Sequence, residues 1–372
     1  MKKKSLLLAL VLAFALGGIA LLFASCSKST PAGKTKVGVI LPLTGTLAEM
    51  GQYEKQAMEL AFSDLQASGY KDIELIFEDG KGDSKAVVGA ANKLIDVDRV
   101  QLLITSTTGA SLATRSISER AAVPLIAFCM GSDVAAESKS TIRYYIGIEE
   151  ESQAIIKHLA LLPKDTRVAI LHASVAVWAT AVKEIYQPFL SKHFNQQVVI
   201  EEYALQDKDF RPQLTRFKND GVQVLVLLGY GFEYGPIFTQ MSELRLRDKL
   251  QIVGGWGFLY TNLSLEMVEG INVAGPTYVI DRGQAGAAFE AAFTKKYARV
   301  PNFDAVFAYE VATKLPEILR IMKNAPQADL KRGLASLGQI NGIMGKYHFT
   351  AEGNMIVETG VGVFRNGQIV SK

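Results

Sequence analysis

From residue 36 onward, short apolar runs alternate with longer stretches in which apolar residues recur three or four positions apart. The runs at 36–41, 73–78, 100–104 and 123–128 are short and rich in Val, Ile and Leu, which predicts buried parallel strands. Between them lie three helical patterns. Residues 50–68 place Ala57, Leu60, Ala61 and Leu65 on one face. Ser84 is positioned to cap a helix that carries Val87, Ala91, Leu94 and Ile95, and residues 110–120 repeat Ala110, Ala113 and Ile117. The order β-α-β-α-β-α-β describes a doubly wound half with a parallel sheet.

A run at 142–148 closes this half, and the pattern then restarts. Strands are expected at 167–172, 198–203, 222–228 and 250–254. Helices are expected at 150–161, 176–194 (interrupted near Pro188), 210–220 and 237–244. A further strand begins at Val273, followed by helices at 285–297, 305–324 and 328–336. The chain closes on a hairpin of 345–349 and 357–364, turning at 351–354. This tail reads as completing the two halves rather than as a third domain.

The chemistry gathers where strands end. The strand at 100–104 runs into Thr105, Ser106, Thr107, Thr108 and Gly109, and the next strand ends at Cys129, Met130, Gly131 and Ser132. A helix N-terminus carries unpaired N–H groups and about half a positive charge, which suits a carboxylate. The same residues equally satisfy a plain N-cap. In open α/β sheets ligands settle beyond the carboxyl ends of strands. The only two tryptophans, Trp178 and Trp256, each follow such an end in the second half, as does Tyr230.

Composition narrows the class. A chain of 372 residues, 49% hydrophobic and 21% charged, suits two globular domains. The net charge of +3 comes from Lys2, Lys3 and Lys4; the remaining basic residues equal the acidic ones. No basic cluster with interleaved aromatics occurs, so nucleic acid is not an expected partner. The three lysines precede an apolar run at 6–23 and the segment Ala24-Ser25-Cys26, a pattern expected of an export signal at 1–26. It is similar to a lipobox, in which Cys26 is acylated; the alternative is an uncleaved membrane anchor. Residues 27–35 form a polar linker. Acylation of Cys26 leaves Cys129 without a disulfide partner. The four histidines lack metal-ligand spacing, and neither a nucleophile elbow nor a dinucleotide glycine pattern is present. No enzyme, metal or cofactor is therefore expected.

Several pieces in order carry a family resemblance: VGVILPLTGTLAEMGQYEKQAMELAFSDL, ELIFEDGKGDSKAVVGAANKLI, TSTTGASLATRSISERAAVPLIA, FDAVFAYEVATKLPEIL and GKYHFTAEGNM. Over nearly its whole mature length the chain resembles the type I periplasmic solute-binding proteins of ABC importers, in the branched-chain amino-acid (Leu/Ile/Val) family. The resemblance implies an α/β fold of two Rossmann-like, doubly wound parallel-sheet lobes joined by three crossovers. Lobe 1 would hold 35–147 and 277–357, and lobe 2 would hold 148–276 and 358–372. Ligand would be held between them by hinge closure. It also implies a monomer that delivers ligand to an ABC permease from the periplasm or outer membrane face. A sensing role would need a separate signalling partner.

The site residues that the resemblance implies are Thr108 with Gly109 for a ligand carboxylate, then Cys129 and Gly131 with Ser132 as the available hydroxyl, and Met50 and Tyr230. The family's ammonium-binding glutamate falls on Trp256, and Trp178 lies where the family has an acid or tyrosine. Asp304 is left either to supply a carboxylate or to cap a helix at Ala305. These departures point to a ligand with a carboxylate and an apolar or aromatic body, with an amino acid as the alternative.

Overall fold

The computed structural model describes residues 34–371, apart from 137, 260–262, 325–329 and 367. The expected export signal, Cys26 and most of the expected linker lie outside the described residues.

Two sheets organise the chain. The first has five strands in the order β2-β1-β3-β4-β5: β1 Thr35–Leu41, β2 Ile73–Asp79, β3 Leu102–Ser106, β4 Leu125–Phe128 and β5 Thr141–Arg143. All its pairings are parallel. Helices α1 (Ala48–Ala67), α2 (Ser84–Asn92) and α3 (Thr108–Ala121) connect its strands, and a short α4 (Asp133–Ala136) precedes β5. The central strands β1, β3 and β4 are apolar along most of their length because helices cover both faces.

The second sheet has seven strands. Its parallel part comprises β6 Val168–Ala173, β7 Val199–Tyr203, β8 Val224–Leu228, β9 Gln251–Gly254 and β10 Asn272–Pro276. Helix α5 (Ile148–Leu159) leads into it, and α6 (Ala176–Ala181), α7 (Gln187–His193), α8 (Arg211–Asn219), α9 (Tyr234–Glu243) and α10 (Leu265–Val268) follow along the chain. A small antiparallel sheet, β11 Ile340–Gly342, β12 Gly345–Phe349 and β13 Met355–Val357, precedes two antiparallel strands, β14 Thr359–Arg365 and β15 Gln368–Ser371, that complete the seven-stranded sheet's edge beside β10. The sheet is therefore mixed rather than parallel throughout. The chain passes between the sheets three times: after β5, after β10, and between Val357 and Thr359. Between the last two passages lie helices α11 (Gly283–Tyr297), α12 (Phe303–Asn324) and α13 (Leu330–Ala335), with α12 packed along α1.

Several expected boundaries shift. The strand expected at 100–104 runs on through Thr105 and Ser106, whose buried hydroxyls bond Ser111 and Glu54 instead of water. Asp83, not Ser84, caps α2, accepting from the Ala86 N–H at 2.9 Å. Pro188 does not break its helix. It sits at the start of the segment Gln187–His193, after a π-helical turn at Val182–Tyr186, where its missing N–H costs little. The closing hairpin is shorter than its pattern suggested. Gly345–Phe349 pairs with Met355–Val357, and the apolar run then continues into the other sheet as β14. Continuous apolarity could not reveal that change of partner. Of the helix expected at 328–336, residues 328 and 329 lie outside the described set.

Candidate ligand-binding site

A cavity of about 30 Å³ lies between the two sheet systems. From the first half it is lined by Met50 and Glu54 of α1, by Ser106, Thr107 and Thr108, by Phe128, Cys129 and Met130, and by Asp304 at the start of α12. Val177, Trp178, Tyr230 and Trp256 come from the second half, and Tyr145 from the first passage between them. The halves touch across it: the Trp256 indole N–H donates to the Met130 sulfur at 2.8 Å, and its ring stacks on Phe303 with centroids 6.3 Å apart.

The aromatic wall is a mutually packed set. Trp178 meets Tyr230 edge-on at 4.8 Å and lies nearly parallel to Trp256 at 6.3 Å, while Tyr230 meets Trp256 at 5.9 Å. Such contacts fix ring positions beyond what area burial alone provides. The loops holding these rings are braced by inward-turned carboxylates. Glu151 accepts from the Trp256 backbone N–H at 2.8 Å. Glu233 accepts from the Tyr230 N–H at 2.8 Å and from the Tyr203 hydroxyl at 2.7 Å. Burial pushes Glu151 up to about 8, although the Trp256 N–H opposes the shift.

The opposite wall is polar. Thr107 turns the chain from β3 into α3 at φ 75°, an uncommon conformation for a β-branched residue. The neighbouring structure holds it there. Its N–H donates to the Phe128 carbonyl, its carbonyl accepts from the N–H and hydroxyl of Ser111, and its own hydroxyl accepts from the Ala110 N–H. Strain so over-determined is characteristic of ligand sites. It sets Thr108 at the first turn of α3, beside the Gly131 N–H.

Glu54 and Asp304 define the site's electrostatics. They are 1% and 2% exposed. Ser106 donates to Glu54 Oε1 at 2.7 Å and the Tyr145 hydroxyl donates to Asp304 Oδ1 at 2.6 Å, whereas Glu54 Oε2 and Asp304 Oδ2 have no hydrogen-bond partner. Burial raises both, Asp304 to about 7, and Asp304 raises Glu54 further. Among the described residues no Lys, Arg or His lines the cavity. Helix α12 is capped by Asn302, whose side chain accepts from the Ala305 N–H at 3.0 Å. Asp304 is thus not the cap.

Of the residues expected at the site, Met50, Thr108, Cys129, Trp178, Tyr230, Trp256 and Asp304 line this cavity; Gly109, Gly131 and Ser132 do not. Gly131 instead packs behind Thr108, where a Cβ would press on the Thr108 methyl group. The Ser132 hydroxyl is engaged by Glu149 at 2.6 Å, so it cannot replace the missing family hydroxyl. Cys129 is a free, buried thiol pushed up to about 12 by burial, which makes it an inert wall residue. Glu54 and Tyr145 were not anticipated. Glu54 sits on the buried stripe of α1 with Gly51, Ala57, Met58 and Ala61, and an acid on such a stripe is the sequence signal that marks it.

Comparison with known proteins places this architecture. The family model for periplasmic binding proteins matches residues 34–365. The Leu/Ile/Val-binding protein homolog 2 of Brucella abortus is 24% identical over 327 residues, spanning 86% of each chain. The Leu/Ile/Val-binding protein of Escherichia coli is 25% identical, covering 70% of this chain and 71% of that one. Among solved structures, a solute binding protein of an ABC transporter from Rhodopseudomonas palustris, in complex with 3,4-dihydroxy benzoic acid, superposes with a TM-score of 0.79. It is 21% identical and covers 90% of this chain and 95% of its own. The LivJ substrate binding protein of Streptococcus pneumoniae, in complex with isoleucine, gives 0.74 at 21% identity, with 90% and 97% covered. The chain belongs to the periplasmic binding protein family and has its type I fold. It is a solute-binding protein of the extracytoplasmic kind.

Proposed function

We propose that this protein is the substrate-binding lipoprotein of an ABC importer, tethered through acylated Cys26, and that it takes up a small molecule carrying an ammonium group and an apolar body. An amino acid is the simplest case. The lobes would be 35–147 with 277–357 and 148–276 with 358–372, closing by rotation about the three passages. The role is capture and release, not catalysis.

The observation that carries the ligand class is the Glu54–Asp304 pair, with one unpartnered oxygen on each acid in a cavity whose described lining includes no basic side chain. A third carboxylate would require both acids to hold protons. An ammonium would pair with them instead, and the aromatic wall would add cation–π attraction of about 0.5–2 kcal/mol. The carboxylate of an amino acid would meet Thr108 and the N-terminus of α3. At about 30 Å³ the cavity is too small for an amino acid, so binding requires the lobes to part.

A second reading, an aromatic or branched carboxylate without ammonium, is favoured by the same Thr108 and by the apolar second wall; it needs Glu54 and Asp304 neutral. A thermal-shift panel separates the two by setting leucine, isoleucine and valine against their keto acids and benzoate. Shifts with the amino acids alone support the first reading. Shifts with the acids alone refute it.

A further inference from the structure

A second small cavity, about 50 Å³, lies outward of the first and is lined by Thr46, Leu47, Glu49, Met50, Tyr230, Phe232 and Trp256. The two cavities share three residues, Met50, Tyr230 and Trp256. Two of these, Tyr230 and Trp256, are held in the packed aromatic set. The third, Met50, is an unbranched thioether that is only half-buried, and it adapts to its neighbours more readily than a ring does. Neither compartment has room for an organic ligand alone.

We infer that Met50 is a movable partition between two compartments of one elongated site, and that the ligand is a two-headed cation, such as an α-amino acid with an amine-tipped side chain. The inference rests on the ammonium reading above and extends it. The inner compartment takes the α-ammonium at Glu54 and Asp304. With Met50 swung aside, the side chain runs past Tyr230 and Trp256 to the mouth, where Glu49 waits beside the exposed Phe232 ring. Phe232 stacks on Tyr230, the centroids 5.9 Å apart and the planes 10° from parallel, extending the aromatic wall to the rim. The charged side chains lining both compartments are Glu49, Glu54 and Asp304, all acidic. Glu49 also lies in the first turn of α1, where a carboxylate complements the helix dipole; that role leaves its outward oxygens free to meet a second cation.

Isothermal titration with lysine and norleucine tests this, because the two match in backbone and differ mainly at the tip. Lysine should bind the wild type roughly fivefold tighter, the size expected of one partly screened ion pair. The preference should shrink in high salt and vanish in Glu49→Gln. Met50→Ala should improve both long ligands relative to 2-aminobutyrate, since it removes the partition. Norleucine binding as well as lysine, or a lysine preference that survives Glu49→Gln, overturns the two-headed ligand while leaving the ammonium reading intact. A chain-length profile unchanged in Met50→Ala overturns the partition. If none of the three amino acids binds and the matched carboxylic acids do, both readings fall together.

Discussion

The two walls of the cleft are built on opposite plans. On the first, Glu54 and Asp304 turn buried carboxylates toward the cavity and leave one oxygen of each unpaired. On the second, the acids point away from the cavity: Glu151 and Glu233 accept backbone N–H bonds from Trp256 and Tyr230, and the surface presented is indole and phenol. The same residue type thus serves recognition on one side and bracing on the other. Burial raises all four, but only the first pair lies where a ligand charge can lower the cost. Under the proposed reading, the acid chemistry that the resemblance expects at Trp256 is supplied from the other side of the cleft, by Glu54 and Asp304.

The largest expected effect comes from erasing the first wall's charge. Asp304→Asn should lower amino-acid affinity by a hundredfold or more, on the order of 3 kcal/mol, the scale of losing one partner of a buried charge pair. It should also raise the melting temperature of the free protein at pH 8. Asp304 is raised on folding, so its contribution is intact below the unfolded value and is lost as pH rises toward about 7; the amide is spared that loss. Lower affinity without added stability would detach Asp304 from this account.

Trp256→Ala should act on folding stability rather than on charge recognition, destabilising by about 3–5 kcal/mol because it opens a void beside Trp178, Tyr230 and Phe303. Denaturant titration measures it; a change below about 1 kcal/mol would show that the ring is not packed as described. Glu151→Gln should be nearly neutral near about pH 4 and increasingly stabilising from there up to about pH 8. The wild-type carboxyl stays protonated until about 8, and from its unfolded value up to that pH folding becomes progressively less favourable. Stability curves for the two proteins that stay parallel from pH 6 to 9 would place Glu151 elsewhere. The smallest effect belongs to Thr108→Val, which should cost about 1 kcal/mol in binding a carboxylate-bearing ligand while leaving its simple amine analogue unaffected.

Much of this was legible in the chain. Apolar runs of four to seven residues between helical patterns gave both sheets, because parallel strands covered on two faces must be apolar throughout. Strand ends pointed to Thr108, Trp178, Tyr230 and Trp256. Three things were hidden for physical reasons. Glu54 is mid-helix, far in sequence from every strand end, and enters the cleft only through the packing of α1. Tyr145 belongs to a stretch that reads as strand up to residue 148, whereas β5 stops at Arg143 and the chain then crosses between the sheets. The positive φ of Thr107 left no trace at all, since the bond that holds it there from outside the turn, its N–H donating to the Phe128 carbonyl, comes from the tertiary fold.

The claim that matters most is that the cleft recognises a positive charge through Glu54 and Asp304. Calorimetric titration of leucine and of 4-methylpentanoate, its counterpart lacking the amine, between pH 6 and pH 8 tests it most directly. An ammonium favours the ionised acids, so leucine should bind more tightly as pH rises through about 7, by up to about tenfold per unit where one proton is released. 4-Methylpentanoate should bind weakly and lose affinity over the same range. Tighter binding of 4-methylpentanoate than of leucine, strengthening toward pH 6, would contradict the account.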